Sequence, residues 1–160
     1  MAHPVRPVEL AFLSSAPVRL VCAAELAAPP DTVYRALAED VAGTPSWFAA
    51  VAAARPTDGG AGREIRLRGG VVFRERILAR EPARRYAYRV EETNAPGVTA
   101  LLEEWALSPA GAGTRVRWTM AADGAAVFRW GLRAGRAGVG RSFRDAMRAL
   151  DRRLTAHPAP

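Results

Sequence analysis

Glu75 shares the alternating face of VVFRERILAR with Val71, Phe73, Ile77 and Ala79, and Glu103 shares that of VTALLEEWALS with Leu101, Trp105 and Leu107. Successive strand residues point to opposite sides of a sheet. Both acids are therefore expected on the inner side, while Arg74, Arg76 and Arg80 take solvent. The same alternation turns Tyr86, Tyr88 and Val90 inward from RRYAYRVEE, and Val116, Trp118 and Met120 inward from TRVRWTMAA. Simple hairpin registers then bring Ile77, Tyr88, Glu103 and Trp118 into one row, with Trp105 beside Tyr86. An unpaired buried carboxylate is costly, so a wall of two acids, a phenol and indoles suits a cavity better than a solid core. Such an acid can move a proton at a carbon next to a carbonyl, and a phenol or cation beside it can stabilise the enolate that forms. The alternative is that Glu75 and Glu103 pair with arginine or backbone near the sheet edge and only hold the fold. A one-residue bulge would turn either outward.

The cation with a place in this chemistry is Arg136. It belongs to the run FRWGLRAGRAGVGRSFRDAMRALDRRL, from about Phe128 to Leu154, which reads as one long helix laid across a curved sheet. At the helical period, Leu132, Val139, Phe143, Met147, Leu150 and Leu154 form one stripe, with Arg141, Arg144, Arg148 and Arg152 roughly opposite. Gly131, Gly135, Gly138 and Gly140 each cost about 1 kcal/mol relative to Ala in a helix interior. The first half of the helix is expected to be poorly formed or to admit a close approach of backbone or ligand. Arg136 falls inside the stripe. Either its stem packs and its head snorkels to solvent, or it reaches the cavity and meets a carboxylate or an anionic ligand group.

The elements that must position these groups follow from the rest of the chain. Residues 1–16 carry Leu10, Phe12 and Leu13 between Pro4, Pro7 and Pro17. They are expected to form an extended arm, packed on the body or on a second subunit of a homodimer. VRLVCAAELA reads as the first strand. Pro29-Pro30 ends it, and Asp31 or Thr32 can cap the helix TVYRALAED. A second short helix, SWFAAVAAA, is expected from Ser46. After Thr57-Asp58-Gly59-Gly60 the period changes to two, with strands over 63–69, 71–80, 84–92, 98–108 and 114–122. Short connections between them make an antiparallel meander. The expected class is α+β, with a single domain over 17–155 and a tail over 156–160.

A chain of 160 residues fits one domain with a proper core. All 23 basic residues are Arg, and the formal charge of +7 permits an acidic partner without demanding one. The basic helix face has no nucleic-acid motif and no aromatic interleaving, so no nucleic acid is expected. Cys22 is the only cysteine, which excludes an intrachain disulfide and suits a buried small hydrophobe. No apolar run approaches the roughly 18 residues of a membrane span, and VELAFL is too short for a signal core, so the cytoplasm is the default. His3 and His157 lie in the tails, which leaves no metal-ligand cluster. A Gly-rich phosphate loop, a nucleophile elbow and a Cys/His dyad are all missing, and no cofactor is expected.

Several stretches together resemble the START-like, helix-grip superfamily, in particular the SRPBCC group often labelled polyketide cyclase/dehydrase. They are AAPPDTVYRAL (27–37) with Trp47 after it, Gly62 before REIRL, REPARRYAYRV (80–90), EEWALSPAGAGTRVRW (103–118) and the terminal amphipathic helix. The resemblance covers about residues 18–155. It implies a curved antiparallel sheet gripping the C-terminal helix, two small helices closing one end, and a hydrophobic cavity between. Similar proteins bind lipids, hormones or polyketides; some cyclise poly-β-ketone chains and others sequester reactive products. In aromatase/cyclase relatives, pocket Arg and Tyr groups orient a keto chain. The matching kinds of group here are Arg136 and Tyr88, by type and location. The expected ligand is a hydrophobic, aromatic or polyketide-like small molecule, walled by Phe73, Tyr86, Tyr88, Trp105 and Trp118 under Leu132 and Phe143, with Trp47 and Phe48 near the mouth. Acid–base cyclisation, sequestration without turnover, and a co-chaperone-like role through the basic helix face all remain open at this level.

Overall fold

The computed structural model describes residues 1–157; the remainder of the tail expected over 156–160 lies outside the described residues. One eight-stranded antiparallel sheet makes up the body. After β1 (His3–Pro4) and a helical turn α1 (Phe12–Ser15) comes the edge strand β2 (Val18–Leu26). Then come α2 (Pro30–Tyr34), a π-helical turn (Arg35–Glu39) and a 3-10 helix (Val41–Ser46). The meander β3 (Val51–Thr57), β4 (Gly62–Leu67), β5 (Val72–Glu81), β6 (Arg85–Thr93), β7 (Val98–Ala110) and β8 (Gly113–Gly124) follows. The sheet order is β2-β8-β7-β6-β5-β4-β3, with β1 beside β6. Two helices close the chain, α3 (Ala126–Ala134) and α4 (Arg136–Ala156). This is the α+β helix-grip architecture expected.

Two elements differ from expectation. SWFAAVAAA is not a helix. Its second half is β3, which pairs with β4 from Val51↔Leu67 to Thr57↔Gly62. Alanine is the best helix former, but intrinsic propensity is a weak determinant and pairing at an open sheet edge overrides it. The terminal helix is not continuous either. It breaks at Gly135, the last cap of α3 and the first of α4, where the backbone (φ −80°, ψ −1°) leaves regular helix. The glycine content announced this break.

The arm is part of the body. Beyond Arg89↔Leu102 the strands β6 and β7 are no longer paired, and the arm takes the space between them. Val5 N–H donates to the Glu91 carbonyl (3.0 Å), and Arg6 N–H to that of Thr99 (2.8 Å). Val5 is buried with Val90, Val98 and Leu101. Val8 and Phe12 cover Ala100, Leu102 and Ala121 on the convex face, so that patch of it is not left to solvent.

The main core lies on the concave side, where α4 buries Phe143, Ala146, Met147 and Leu150 against Trp105, Val116 and Trp118. Arg141, Arg144, Arg148 and Arg152 are exposed, Arg141 and Arg144 on the flank beside β2. Cys22 is half-buried rather than buried, packed beside this core.

Candidate functional site

A cavity of about 350 Å³ lies between the concave sheet face and the terminal helices. Its half-exposed lining residues include Phe48, Ala50, Leu67, Val71, Leu132 and Val139. These come from the segment before β3, the β4–β5 turn and the α3–α4 junction, so the opening lies among those three. Trp47, Arg63, Glu75, Tyr88, Trp105 and Trp118 are buried and form the closed end.

Register builds the polar floor of that end. Arg63 lies directly across from Glu75, Ile77 from Tyr88, and Tyr88 from Glu103. Gly62 allows β4 its close approach to β5, since a Cβ there would stand 2.7 Å from the Glu75 carbonyl oxygen. The β5–β6 register shifts on both sides of Glu75, with Glu91 of β6 left over between Arg74 and Glu75 and Leu78 of β5 between Ile77 and Ala79. Glu75 nevertheless stays inward. The predicted row holds for Ile77, Tyr88 and Glu103 but ends in Met120; Trp118 lies opposite Trp105, two pairs further along.

Arg63 and Glu75 form a buried ion pair, each residue 7% exposed. The guanidinium carbon lies 3.7 Å from the Tyr88 ring centre and 5.4 Å from that of Tyr86, a cation–π placement. Tyr88 Oη donates to Glu103 Oε2 (2.7 Å) and accepts from Trp105 Nε1 (2.9 Å). Trp118 Nε1 donates to the same carboxyl oxygen (3.2 Å). Trp105 and Trp118 are stacked with ring centres 5.5 Å apart, and Phe143 stacks on Trp118 at 5.8 Å. The Trp47 indole N–H is buried on the cavity wall with no acceptor among the described residues.

In this apolar enclosure Glu75 is paired with the guanidinium, while Glu103 is held by Tyr88 and Trp118 and feels the Arg63 charge without touching it. Burial pushes Glu75 up to about 7, against the pull of Arg63 and with the push of Glu103. Burial also raises Glu103, against the hydrogen bond from Tyr88 and the charge of Arg63. The surface that Glu103 keeps faces the cavity, so it is enclosed by protein despite that exposure. Burial works against the charge on Arg63, but Glu75 beside it holds the guanidinium well above its ordinary range. Tyr88 is raised well above the ordinary phenol range by burial and by both acids, and stays a neutral donor.

Of the residues picked from sequence, Glu75, Glu103, Tyr88, Trp47, Phe48, Phe73, Trp105, Trp118 and Leu132 line this cavity. Three do not. Arg136 is exposed on the flank of α4 that faces β2, beside Leu20 to Ala23. Its place in the stripe was counted through the Gly135 break, where the helical phase is lost. Tyr86 lies behind the Arg63 guanidinium, against a separate hollow with Tyr34 and Arg80. Phe143 is sealed behind the stacked indoles. Trp47 is buried edge-on to Trp105 (6.3 Å) rather than standing at the mouth. The cation that sequence reading missed is Arg63. Its signal was present in REIRLRG, where it shares parity with Ile65 and Leu67.

Comparison with known proteins agrees with this architecture. Uncharacterized proteins of Mycobacterium tuberculosis and Mycobacterium bovis are 30% identical over 124 residues, 74% of this chain and of theirs. The solved structure of XoxI from Bacillus cereus superposes with a TM-score of 0.71 at 18% identity, over 86% of this chain and 96% of that one. A START superfamily protein from Mycobacterium smegmatis gives 0.70 at 13% identity, over 86% and 97%. At these identities the two structures speak for the START-like fold alone. Residues 18–155 match the family described as polyketide cyclase/dehydrase and lipid transport, and the chain belongs to that family.

Proposed function

We propose that the protein binds a hydrophobic, aromatic or polyketide-like small molecule carrying a carbonyl, and that the floor of the cavity acts on it by acid–base chemistry. The observation that carries this reading is the pair of acids at the closed end of the cavity, Glu75 paired with Arg63 and Glu103 bonded to Tyr88. A carboxyl whose affinity for its proton is raised toward neutrality is suited to give and take protons at the pH of the cell. Either Glu75 or Glu103 takes a proton from the carbon next to the carbonyl. Arg63, in the part first assigned to Arg136, faces the oxygen on which negative charge develops, and Tyr88 can donate to it once it turns from Glu103. The free Trp47 N–H supplies a further donor to a polar ligand atom. Apolar walls from Phe73, Leu101, Trp105, Trp118 and Leu132 match a ligand with little charge of its own.

A second reading, sequestration without turnover, is favoured by a different observation. Arg63, Glu75, Tyr88, Glu103 and both indoles already satisfy one another, as a purely structural floor would require. Native mass spectrometry of the purified protein, followed by denaturing extraction, gives the ligand class. Incubation of that ligand with the protein and with E75Q and E103Q then separates the readings. Acid–base chemistry predicts product from the wild type and a loss of roughly a hundredfold or more in at least one variant. Ligand recovered unchanged from all three leaves sequestration, and a protein that binds none of the class removes both.

A further inference from the structure

We propose that α3, with the adjoining arginines of α4 and β2, is a docking surface for an anionic lipid bilayer. The described surface exposes four large apolar side chains, Met1, Val21, Val127 and Trp130. Val127 and Trp130 are 82% and 70% exposed, one turn apart on the outward side of α3, and Val21 lies on β2 beside α4. A solvent-facing Trp is unusual, because burying its ring removes a large apolar area from water. Here it stands on a helix with no buried residue, so packing does not account for it.

Charge identifies the occupant. Arg19, Arg136, Arg141 and Arg144 line one open groove between β2 and α4, with no acidic side chain among its lining residues. Arg136, Arg141 and Arg144 form no ion pair among the described residues, whereas Arg129, Arg148 and Arg153 each have one. Arg133 extends the cluster from α3 and donates to the Pro17 carbonyl at the foot of β2. An aromatic ring at headgroup depth beside a patch of arginines is the chemistry that an anionic bilayer surface recognises. A second copy of the chain would set the same arginines against one another. Nucleic acid would give the aliphatic Val21 and Val127 no partner.

The surface is also the outer side of the cavity's door. Phe128 and Leu132 point into the cavity from the same helix that turns Val127 and Trp130 outward. One helix thus offers Val127 and Trp130 to the bilayer and Phe128 and Leu132 to the cavity. The inference rests on the outer residues and holds whatever the cavity contains.

Vesicle partitioning of the full chain tests it, with phosphatidylcholine alone and with added phosphatidylglycerol. Trp47, Trp105 and Trp118 are buried, so a blue shift of indole emission on vesicle addition reports Trp130. Expected are binding to the phosphatidylglycerol vesicles that weakens with salt, and a fall of roughly fivefold for each arginine removed in R136E, R141E and R144E. W130A should fall roughly tenfold and E75Q should be unchanged, with melting curves showing that each variant folds. Equal binding to both vesicle types, binding indifferent to W130A, a W130A-sensitive dimer in place of vesicle binding, or preferential capture of RNA would each overturn the proposal.

Discussion

α3 and α4 come from one amphipathic stretch of sequence, yet they end in different physical states. α4 presses Phe143, Ala146, Met147 and Leu150 into the core, all at most 2% exposed. α3 buries nothing fully and lends Phe128 and Leu132 to the rim of a cavity. The sheet below explains the difference. Under α4 the concave face carries Trp105, Val116 and Trp118, which fill the space. Under α3 lie Phe73, Val98 and Leu101, which leave room. An apolar stripe declares which side of a helix turns inward; what lies opposite decides whether that side is packed.

The largest expected effect tests the packing half of the comparison. Phe143→Ala should cost about 3–5 kcal/mol in chemical denaturation, because it opens a void behind the two stacked indoles. Leu132→Ala should cost about 1 kcal/mol or less, since its side chain already borders empty space. Equal costs would mean that the two helices are equally packed and the comparison fails.

The closed end should also titrate where the open end does not. The folded protein holds the Glu75 proton up to about pH 7, while the unfolded chain releases it near the ordinary carboxylate value. Between those values the native state binds more protons, so stability is greatest on the acid side. It falls as pH rises from about 5 toward 7, by on the order of 3 kcal/mol, and is flat above. Asp31, Glu64 and Glu91 are held below their ordinary values, Asp31 and Glu64 chiefly by hydrogen bonds from Arg and Glu91 by Arg76 and Arg89 against its burial. They titrate below this window. Thermal melts across pH 5–8 should show the slope in the wild type and in L132A, and a shallower one in E75Q, where Glu103 alone remains raised. A flat wild-type profile would mean that Arg63 keeps Glu75 ionised throughout.

The smallest expected effect separates the helices themselves. A Cβ added at Gly131 or Gly138 meets nothing within 4 Å. Gly138→Ala should raise stability by about 0.5–1 kcal/mol. Gly131→Ala should give less in global unfolding, if α3 loosens before the body does. Similar gains in both would show that α3 unfolds only with the whole.

Strand parity carried most of the fold and most of the site in the sequence. It brought Glu75, Tyr88 and Glu103 together across three strands, because each sits among apolar residues of its own parity. The same rule applied to REIRLRG would have placed Arg63 inside. The expectation that strand arginines face water hid it, and only the carboxyl across the ladder, Glu75, makes its burial tolerable. Arg136 failed for the opposite reason. Its position was inferred from a period carried across Gly135, and a helical phase does not survive a break. The strand over 51–57 was illegible because Ala-rich segments take their form from neighbours.

The arm between β6 and β7 has a consequence for the order in which the molecule comes together. Its hydrogen-bond partners, Glu91 and Thr99, are made long after Val5 and Arg6 leave the ribosome. The segment must therefore wait, unfolded and carrying exposed Val8 and Phe12, until two strands most of a hundred residues later have formed the slot it fills. A contact so distant in sequence makes closure of the sheet a late event, and every earlier strand pairing has to survive without it.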